Sequence, residues 1–244
     1  MGDIRQIGAT EVGESSGRQL ISVIVPIHRG GSKLQAIREA IAPSSTPTEL
    51  IIVINNKELE GTVRPEGPHE RVVVSERMGR GYAFVRGTIE SRGDVVLLLH
   101  SDTVLPPKWD RAIAKALDDD RAVGGAFSLS YDMPSLYLKA LIFISDIFLQ
   151  LTGELWGDRA IFVRREVLVR CLAVMDVPLL EDVRLSKCMR GRGKVIVLKD
   201  KVVTSAEGFM AHGRVRHAWK ALKCRLLYAL GASPQHMYEY YYKR

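Results

Sequence analysis

The chain has 244 residues, of which 46% are hydrophobic and 26% are charged, and this ordinary globular composition excludes a chain that is disordered throughout. Cys171, Cys188 and Cys224 are few and widely spaced, so we expect a reducing compartment, with neither a disulfide framework nor a zinc site. The net charge of +7 is uneven, because residues 184–244 hold 14 Lys and Arg against 3 Asp and Glu, which indicates a negatively charged partner for this basic quarter.

The N-terminal segment is polar and lacks the apolar core of a signal peptide. We therefore expect residues 1–19 to be a flexible leader and the protein to be cytoplasmic. The longest apolar stretch, Leu136 to Leu151, contains Lys139 and Asp146 and is too short to span a bilayer comfortably. The sequence therefore predicts no transmembrane helix.

Short apolar, β-branched runs alternate with helical or loop segments in the first hundred residues. The predicted strands are Leu20–Ile27, Leu50–Ile54, Arg71–Ser75 and Asp94–Leu99, and helices are predicted from Ser32 and over Gly81–Ser91. Buried strands separated by helices are typical of a parallel sheet. We therefore predict an α/β fold, with a Rossmann-like, mostly parallel sheet and helices on both faces.

The second half of the chain is less regular. The predicted elements are a strand near Val123–Ser130, a helix near Ser135–Leu151, a strand at Ala160–Val163, a helix from Glu181, a strand at Val195–Leu198 and a helix near Arg214–Leu230. A single domain over residues 20–244 accounts for this order, with a nucleotide-binding half (20–105) and an acceptor half (106–244).

A run of aliphatic residues ends in His100-Ser101-Asp102. In open parallel sheets, ligands bind beyond the carboxyl ends of the strands. An Asp placed there can hold Mg²⁺ or Mn²⁺ against a pyrophosphate, and the ion can neutralise charge on a departing nucleoside diphosphate. The alternative is that Asp102 only caps the turn before a helix that begins near Pro107, and the residues alone do not separate the two.

Two adjacent acids, Glu181 and Asp182, fall in the first turn of a predicted helix. The helix dipole alone favours acids at this position. A carboxylate held at a crevice could also act as general base on an acceptor hydroxyl. Because neighbouring residues on a helix point about 100° apart, only one of the two can face a substrate squarely.

These segments resemble the family 2 glycosyltransferases, which have the GT-A fold. SVIVPIHRG and ELIIVINN resemble the first two strands of the family, and LLLHSDT resembles the end of its Asp-x-Asp metal motif. GDRAIFVRRE followed by LLEDVRLS resembles the acceptor loop and the motif of the catalytic base. The match runs from about Ile21 to about Tyr238, and with the ending LLYALGASPQ it is most similar to a small bacterial subgroup.

The resemblance implies that a sugar is transferred from a nucleotide-sugar to an acceptor hydroxyl, with inversion of the anomeric centre. It implies Asp182 as the base, oriented by Glu181, and Asp102 as the contact to the diphosphate and to Mn²⁺ or Mg²⁺. The other implied site residues are Pro26, Asn55, Arg80 and Ser101 at the nucleotide-sugar, and Trp156, Gly157, Asp158 and Arg159 on the acceptor side.

Three positions depart from the family pattern. His100 stands where the metal motif begins with Asp, although imidazole can still bind Mn²⁺. Asn55 and Asn56 stand where an Asp usually meets the nucleobase or ribose, and Gly30 stands where an acid is common. These changes leave the donor open and predict weaker metal binding, but they leave the base in place.

The predicted helix over residues 214–230 is amphipathic and has a basic flank. It either packs on the core or docks as a peripheral element on the anionic inner face of a membrane. Nucleic-acid binding is disfavoured, because no recognition motif accompanies the charge. His212, just before this helix, is a candidate third metal ligand.

Two other function classes stay open. A nucleotidyltransferase would need a phosphate-cradling glycine-rich loop with a lysine after its first strand, and Arg29-Gly30-Gly31-Ser32-Lys33 is a faint echo of one. A catalytically inactive nucleotide-binding or scaffolding module would explain the altered acidic positions, but the retained Glu181-Asp182 pair speaks against it.

Overall fold

The computed structural model describes residues 19–28, 33–155, 158–207, 223–224, 226–228 and 230–242. In chain order the elements are β1 (Ile21–Ile27), α1 (Leu34–Ile41), β2 (Thr48–Ile54), a 3₁₀ turn (Lys57–Leu59), β3 (Glu70–Val74), α2 (Arg80–Glu90), β4 (Val95–Leu98), β5 (Thr103–Val104), α3 (Trp109–Leu117), β6 (Ala122–Tyr131), α4 (Leu136–Thr152), β7 (Ile161–Arg164), α5 (Arg165–Met175), α6 (Glu181–Arg190), β8 (Lys194–Thr204) and α7 (Pro234–Tyr242). The predicted leader and most of the predicted helix 214–230 lie outside the described residues.

The strands form one mixed sheet in the order β3-β2-β1-β4-β7-β6-β8-β5. Strands β3, β2, β1 and β4 are parallel to one another, and β6 is parallel to β8. Strand β7 is antiparallel to both of its neighbours, and β5 is antiparallel to β8. This arrangement confirms the predicted α/β fold with a mostly parallel sheet.

Both faces of the sheet are covered by helices. In β2, Ile52 and Ile54 point into a core cluster that includes residues of α1 and α3, whereas Ile51 and Val53 point into a second cluster with residues of α2, α5 and α6. Successive strand side chains alternate between the two faces, so a continuous apolar run is stable only when both faces are covered. The run of aliphatic residues in β2 therefore reflects the layered architecture.

The antiparallel strand β7 determines which loops meet at the site. Its first residue, Ile161, pairs with Leu98 at the end of β4. The segment that precedes β7 therefore lies beside the segment that follows β4. Residues near 158 and near 100 come together in this way, although almost 60 positions separate them in the sequence.

A disulfide joins helices α5 and α6. Cys171 and Cys188 are bonded, with their Cα atoms 6.0 Å apart. The prediction that the cysteines form no disulfide is therefore wrong. The pairing follows from the packing of α5 against α6, which brings together two side chains with no characteristic sequence spacing. Cys224 is buried and takes no part in this disulfide.

Candidate functional site

The loop after β4 is held from several sides. The Ser101 carbonyl accepts a hydrogen bond from the Lys33 amide at 2.8 Å, and the Asp102 carbonyl accepts one from the Ser205 amide at 3.1 Å. Directly after the loop, Thr103 of β5 pairs with Thr204 of β8. The backbone of residues 100–102 is therefore fixed between α1 and the end of β8.

His100, Asp102 and Asp158 form a cluster of possible metal ligands. Each offers one ligand atom, and these atoms lie within 4.8 Å of one another. The His100 Nδ1 atom is 2.7 Å from Asp158 Oδ1. One imidazole nitrogen with two carboxylates is a donor set that suits Mn²⁺ and is compatible with Mg²⁺. The residues present therefore fit a divalent cation.

Two threonine hydroxyls, those of Thr103 and Thr204, lie next to the carboxylates of this cluster. Thr204 Oγ1 lies 3.5 Å from Asp102 Oδ1 and 3.4 Å from Asp158 Oδ2, and it accepts a hydrogen bond from Thr103 Oγ1 at 2.9 Å. Both threonines are almost fully buried. Thr204 thus contacts the two carboxylates at once and fixes their separation.

The charges in the cluster shift one another's pKa values. Burial raises the pKa of Asp102, and the negative charge of Asp158 raises it further. Burial also opposes ionisation of Asp158, but the charge of His100 and its hydrogen bond hold the pKa of Asp158 below its usual range. Burial lowers the pKa of His100, yet Asp158 outweighs burial and the net pKa of His100 is raised. Two carboxylates at this separation therefore favour a cationic partner.

Arg80, the first residue of α2, links this cluster to the acids of α6. Its Nε atom is 2.9 Å from Glu181 Oε1, and its Nη1 atom is 3.7 Å from Asp158 Oδ1. The Arg80 side chain is about a quarter exposed, whereas that of Glu181 is buried. A single guanidinium thus balances acids from two different segments.

Glycines on either side of Arg80 allow this contact. A Cβ atom on Gly81 would lie 2.2 Å from the Val177 carbonyl oxygen, and one on Gly79 would lie 2.6 Å from the Pro178 Cα atom. Gly79 also has a φ of +139°, which side chains rarely tolerate. The first turn of α2 can therefore approach the segment before α6 closely enough for Arg80 to reach Glu181.

Glu181 and Asp182 are both buried at the start of α6. Burial raises the pKa of Glu181, the charge of Arg80 lowers it, and Asp182 raises it again, with a raised pKa as the net result. Neither carboxylate oxygen of Glu181 accepts a hydrogen bond from the described residues, so its 2.9 Å contact with Arg80 is an ion pair without hydrogen-bond alignment. Asp182 Oδ1 accepts one from the Val183 amide at 2.8 Å. The preceding residue, Leu180, has a φ of +66°, so the chain enters α6 through a strained turn.

A cavity of about 10 Å³, roughly the size of one water molecule, lies between His100 and the two acids of α6. It is lined by Phe84, Leu98, His100, Ala160, Ile161, Glu181 and Asp182. His100 belongs to the candidate metal cluster, and Asp182 is the predicted base. The structure therefore brings the end of β4, the segment before β7 and the start of α6 to a common site.

The other predicted site residues occupy varied positions. Pro26 is buried in β1, and the buried Asn55 side chain donates a hydrogen bond to the Gly79 carbonyl at 3.3 Å, beside Arg80. Ser101 is half-buried. The Arg159 side chain is buried, and its Nη2 atom is 2.6 Å from Asp146 Oδ1 of α4. Trp156, Gly157 and His212 lie outside the described residues.

The structure places two residues in the metal cluster that the sequence does not predict there. Asp158, expected on the acceptor side, lies against His100, and Thr204 contacts the carboxylates of Asp102 and Asp158. Asp158 carries a sequence signal, because it is an acid three residues before an apolar strand. The contact between Asp158 and His100 depends on the antiparallel pairing of β7 with β4, which the sequence does not reveal. Thr204 gives no signal, since it is a single threonine at the end of a strand of mixed lysine and aliphatic residues.

The mixed, mostly parallel sheet, with Asp102 after β4, Asp158 before β7 and the acid pair at the start of α6, is the arrangement of a GT-A type fold. The sequence matches the glycosyl transferase family 2 over residues 22–183, more than half of the chain. The chain belongs to this family. No curated protein matches the sequence at a significant level.

Solved structures with the same fold include two glycosyltransferases. Residues 1–349 of TarS from S. aureus align with a TM-score of 0.53 and 17% identity, over 76% of this chain and 60% of that chain. The same TarS fragment in complex with UDP-GlcNAc gives 0.55 and 14%, over 76% and 58%. GalNAc-T7 with UDP, GalNAc and Mn²⁺ gives 0.56 and 13%, over 78% and 44%. This chain thus spans less than two thirds of each of these structures, and the likeness establishes the fold.

Proposed function

We propose that the protein transfers a sugar from a nucleotide-sugar donor to an acceptor hydroxyl, with inversion at the anomeric carbon. The observation that carries this proposal is the cluster of His100, Asp102 and Asp158, which Arg80 links to the buried Glu181-Asp182 pair at the start of α6. An inverting displacement needs a group that stabilises the leaving diphosphate and a base on the opposite side of the sugar. The complexes of TarS with UDP-GlcNAc and of GalNAc-T7 with UDP and Mn²⁺ support a nucleotide-sugar and a divalent ion here.

On this proposal, His100, Asp102 and Asp158 would hold the divalent ion, Mn²⁺ or Mg²⁺. When bound, such an ion neutralises negative charge on the departing nucleoside diphosphate. Ser101, Asn55 and Pro26 lie at the ends of the strands that would contact the nucleotide. Arg80 adds positive charge at the same edge, where it contacts both Glu181 and Asp158. His212 is retained as a further candidate ligand.

Asp182 is the proposed base. As the acceptor oxygen bonds to the anomeric carbon, the bond from that carbon to the diphosphate oxygen breaks and its electron pair leaves with the diphosphate. The hydroxyl proton passes to the Asp182 carboxylate. Glu181 is already engaged by Arg80, so its proposed role is to orient its neighbour. Trp156 to Arg159 would border the acceptor, in the half that begins at residue 106.

Two competing functions are less well supported. Family membership argues against a nucleotidyltransferase. An inactive scaffolding module would not need a cluster of ligand atoms within 4.8 Å beside a buried Glu-Asp pair.

The proposal includes membership of a small bacterial subgroup and a cytoplasmic location, peripheral on the inner membrane face. The Cys171–Cys188 disulfide counts against the reducing compartment expected from the sequence.

Calorimetric titration with nucleoside diphosphates, UDP first, tests the donor site. We expect Mn²⁺ to strengthen UDP binding, and Asp102→Asn to abolish most of that strengthening. Asp120→Asn, which changes an exposed acid outside the site, is the matched control and should bind as the wild type does. Failure of every nucleoside diphosphate to bind, with and without Mn²⁺, would overturn the proposal.

A further inference from the structure

Helix α4 carries a row of exposed apolar side chains. Leu136 is 85% exposed, Phe143 66% and Leu151 78%. The row, called here the α4 stripe, consists of Leu136, Phe143, Ile144, Ile147, Phe148 and Leu151. It runs almost the full length of the helix, about 22 Å at 1.5 Å per residue. Leu138 is the buried residue of this helix. Exposed apolar surface of this extent on one helix marks an interaction site.

Polar contacts hold the helix in this orientation. Asp146 accepts a hydrogen bond from the buried guanidinium of Arg159 at 2.6 Å. Arg190 of α6 donates to the Thr152 carbonyl at the C-terminal end of α4. Helix α4 is therefore anchored by ion pairs and terminal hydrogen bonds, which leave its apolar row outside. Because Arg159 follows Asp158 directly, this anchor lies next to the candidate metal cluster.

Basic residues lie on one flank of the exposed row and near its C-terminal end. A cavity of about 540 Å³ separates α4 from β8 and has Arg190 in its wall. Lys139 is exposed on α4 itself, and Lys187, half-exposed, pairs with Glu154 just beyond the helix. Arg190 and Lys187 belong to the basic quarter of the chain, residues 184–244. The cations near the apolar row are thus Lys139 on the helix itself and Lys187 and Arg190 near its C-terminal end, and their charge is opposite in sign to that of anionic lipid.

We infer that the α4 stripe docks on an anionic membrane leaflet. Leucine, isoleucine and phenylalanine side chains would enter the boundary between headgroups and acyl chains, while neighbouring lysine and arginine side chains meet lipid phosphates. This inference deepens the proposed function and rests on it, because a docked α4 would bring the site to an acceptor carried on a lipid. It places membrane contact at α4, whereas the sequence offers such contact only as one of two interpretations of the predicted helix 214–230.

Vesicle flotation tests the inference directly. The probes are vesicles of phosphatidylcholine alone and of phosphatidylcholine with phosphatidylglycerol, at low and at physiological salt. We expect binding to the anionic vesicles, and Phe143→Ser with Leu151→Ser should reduce the partition coefficient about tenfold or more. Ile89→Ser removes a comparably exposed apolar side chain from α2 and is the matched control, which should bind as the wild type does.

The other outcomes are informative. Wild-type protein that ignores anionic vesicles at low salt overturns the inference. So does vesicle binding that survives in the Phe143, Leu151 double variant, which would move the contact elsewhere. Light scattering that shows a dimer broken by the same double variant would assign the stripe to a second copy of the chain. Thermal unfolding of each variant shows whether it is folded. UDP titration of each variant tests the proposed function separately, so a loss of vesicle binding with normal UDP binding concerns the membrane contact alone.

Discussion

Replacing Arg80 by glutamine should destabilise the fold through the acid that it leaves behind. The Glu181 side chain is 2% exposed, and its Oε1 atom lies 2.9 Å from Arg80 Nε. Removing one partner of a buried ion pair typically costs about 3–5 kcal/mol. Arg80 is 28% exposed and water can reach it, so we expect about 2–3 kcal/mol at neutral pH.

A double-mutant cycle measures the contribution of the Arg80–Glu181 ion pair to the free energy of unfolding. Arg80→Gln with Glu181→Gln removes the stranded charge, so the double variant should be more stable than Arg80→Gln alone. The free energy of unfolding is read from urea denaturation, which requires no donor or acceptor. Arg86→Gln is the control, because Arg86 pairs with Glu90 on the solvent side of the same helix.

The pH dependence has a definite sign. The pKa of Glu181 is already raised by burial in the wild type, and loss of Arg80 removes the charge that opposes this rise. A carboxyl whose pKa is higher in the folded state binds more protons there, so folding is favoured as pH falls from the folded pKa towards the unfolded value. The deficit of Arg80→Gln should therefore shrink as pH is lowered. An Arg80→Gln variant with wild-type stability at neutral pH would refute the ion-pair assignment.

Three further predictions follow from single contacts. Thr204→Val should lower Mn²⁺ affinity in the presence of UDP by about 10-fold, because residues that contact metal ligands also orient them. Thr204→Ser keeps the hydroxyl and should bind Mn²⁺ as the wild type does. Equal Mn²⁺ affinities of Thr204→Val and the wild type in calorimetry would contradict this. Gly81→Ala should lower the urea midpoint, because its Cβ would lie 2.2 Å from a carbonyl oxygen, and an unchanged midpoint would exclude the close approach. Hydrogen bonds from Ser45 and Thr46 outweigh burial and lower the pKa of Asp110 to about 2, so its contribution to stability should be lost as pH falls towards that value; Asp110→Asn should flatten this part of the acid-unfolding curve.

The sequence was sufficient for the parallel half of the sheet. The apolar runs of β1, β2 and β4 are the signature of strands buried on both faces, and the three valines of the half-buried edge strand β3 extend the pattern. The loops after such strands must lie at one edge, so Asn55 and His100 to Asp102 could be placed from pattern alone. The acids at the start of α6 could also be identified from local sequence, because they fall in the first turn of a predicted helix.

The rest depended on contacts between distant residues. Helix α5 begins at Arg165 directly after β7, so no turn residues mark the boundary in the sequence. Strand β7 pairs antiparallel with β4, and this pairing moves Asp158 to His100. The Cys171–Cys188 bond depends on how two helices pack. Neither propensity nor spacing encodes these pairings.

The base assignment is the centre of the proposed mechanism, and turnover of Asp182→Asn tests it most directly. The amide keeps the shape of the side chain and loses its basicity, so UDP affinity should remain while sugar transfer falls by about 10²- to 10⁴-fold. Glu181→Gln, measured beside it, should lose less turnover. Normal turnover in Asp182→Asn, with unchanged UDP affinity, would contradict the account and make Glu181 the residue to examine.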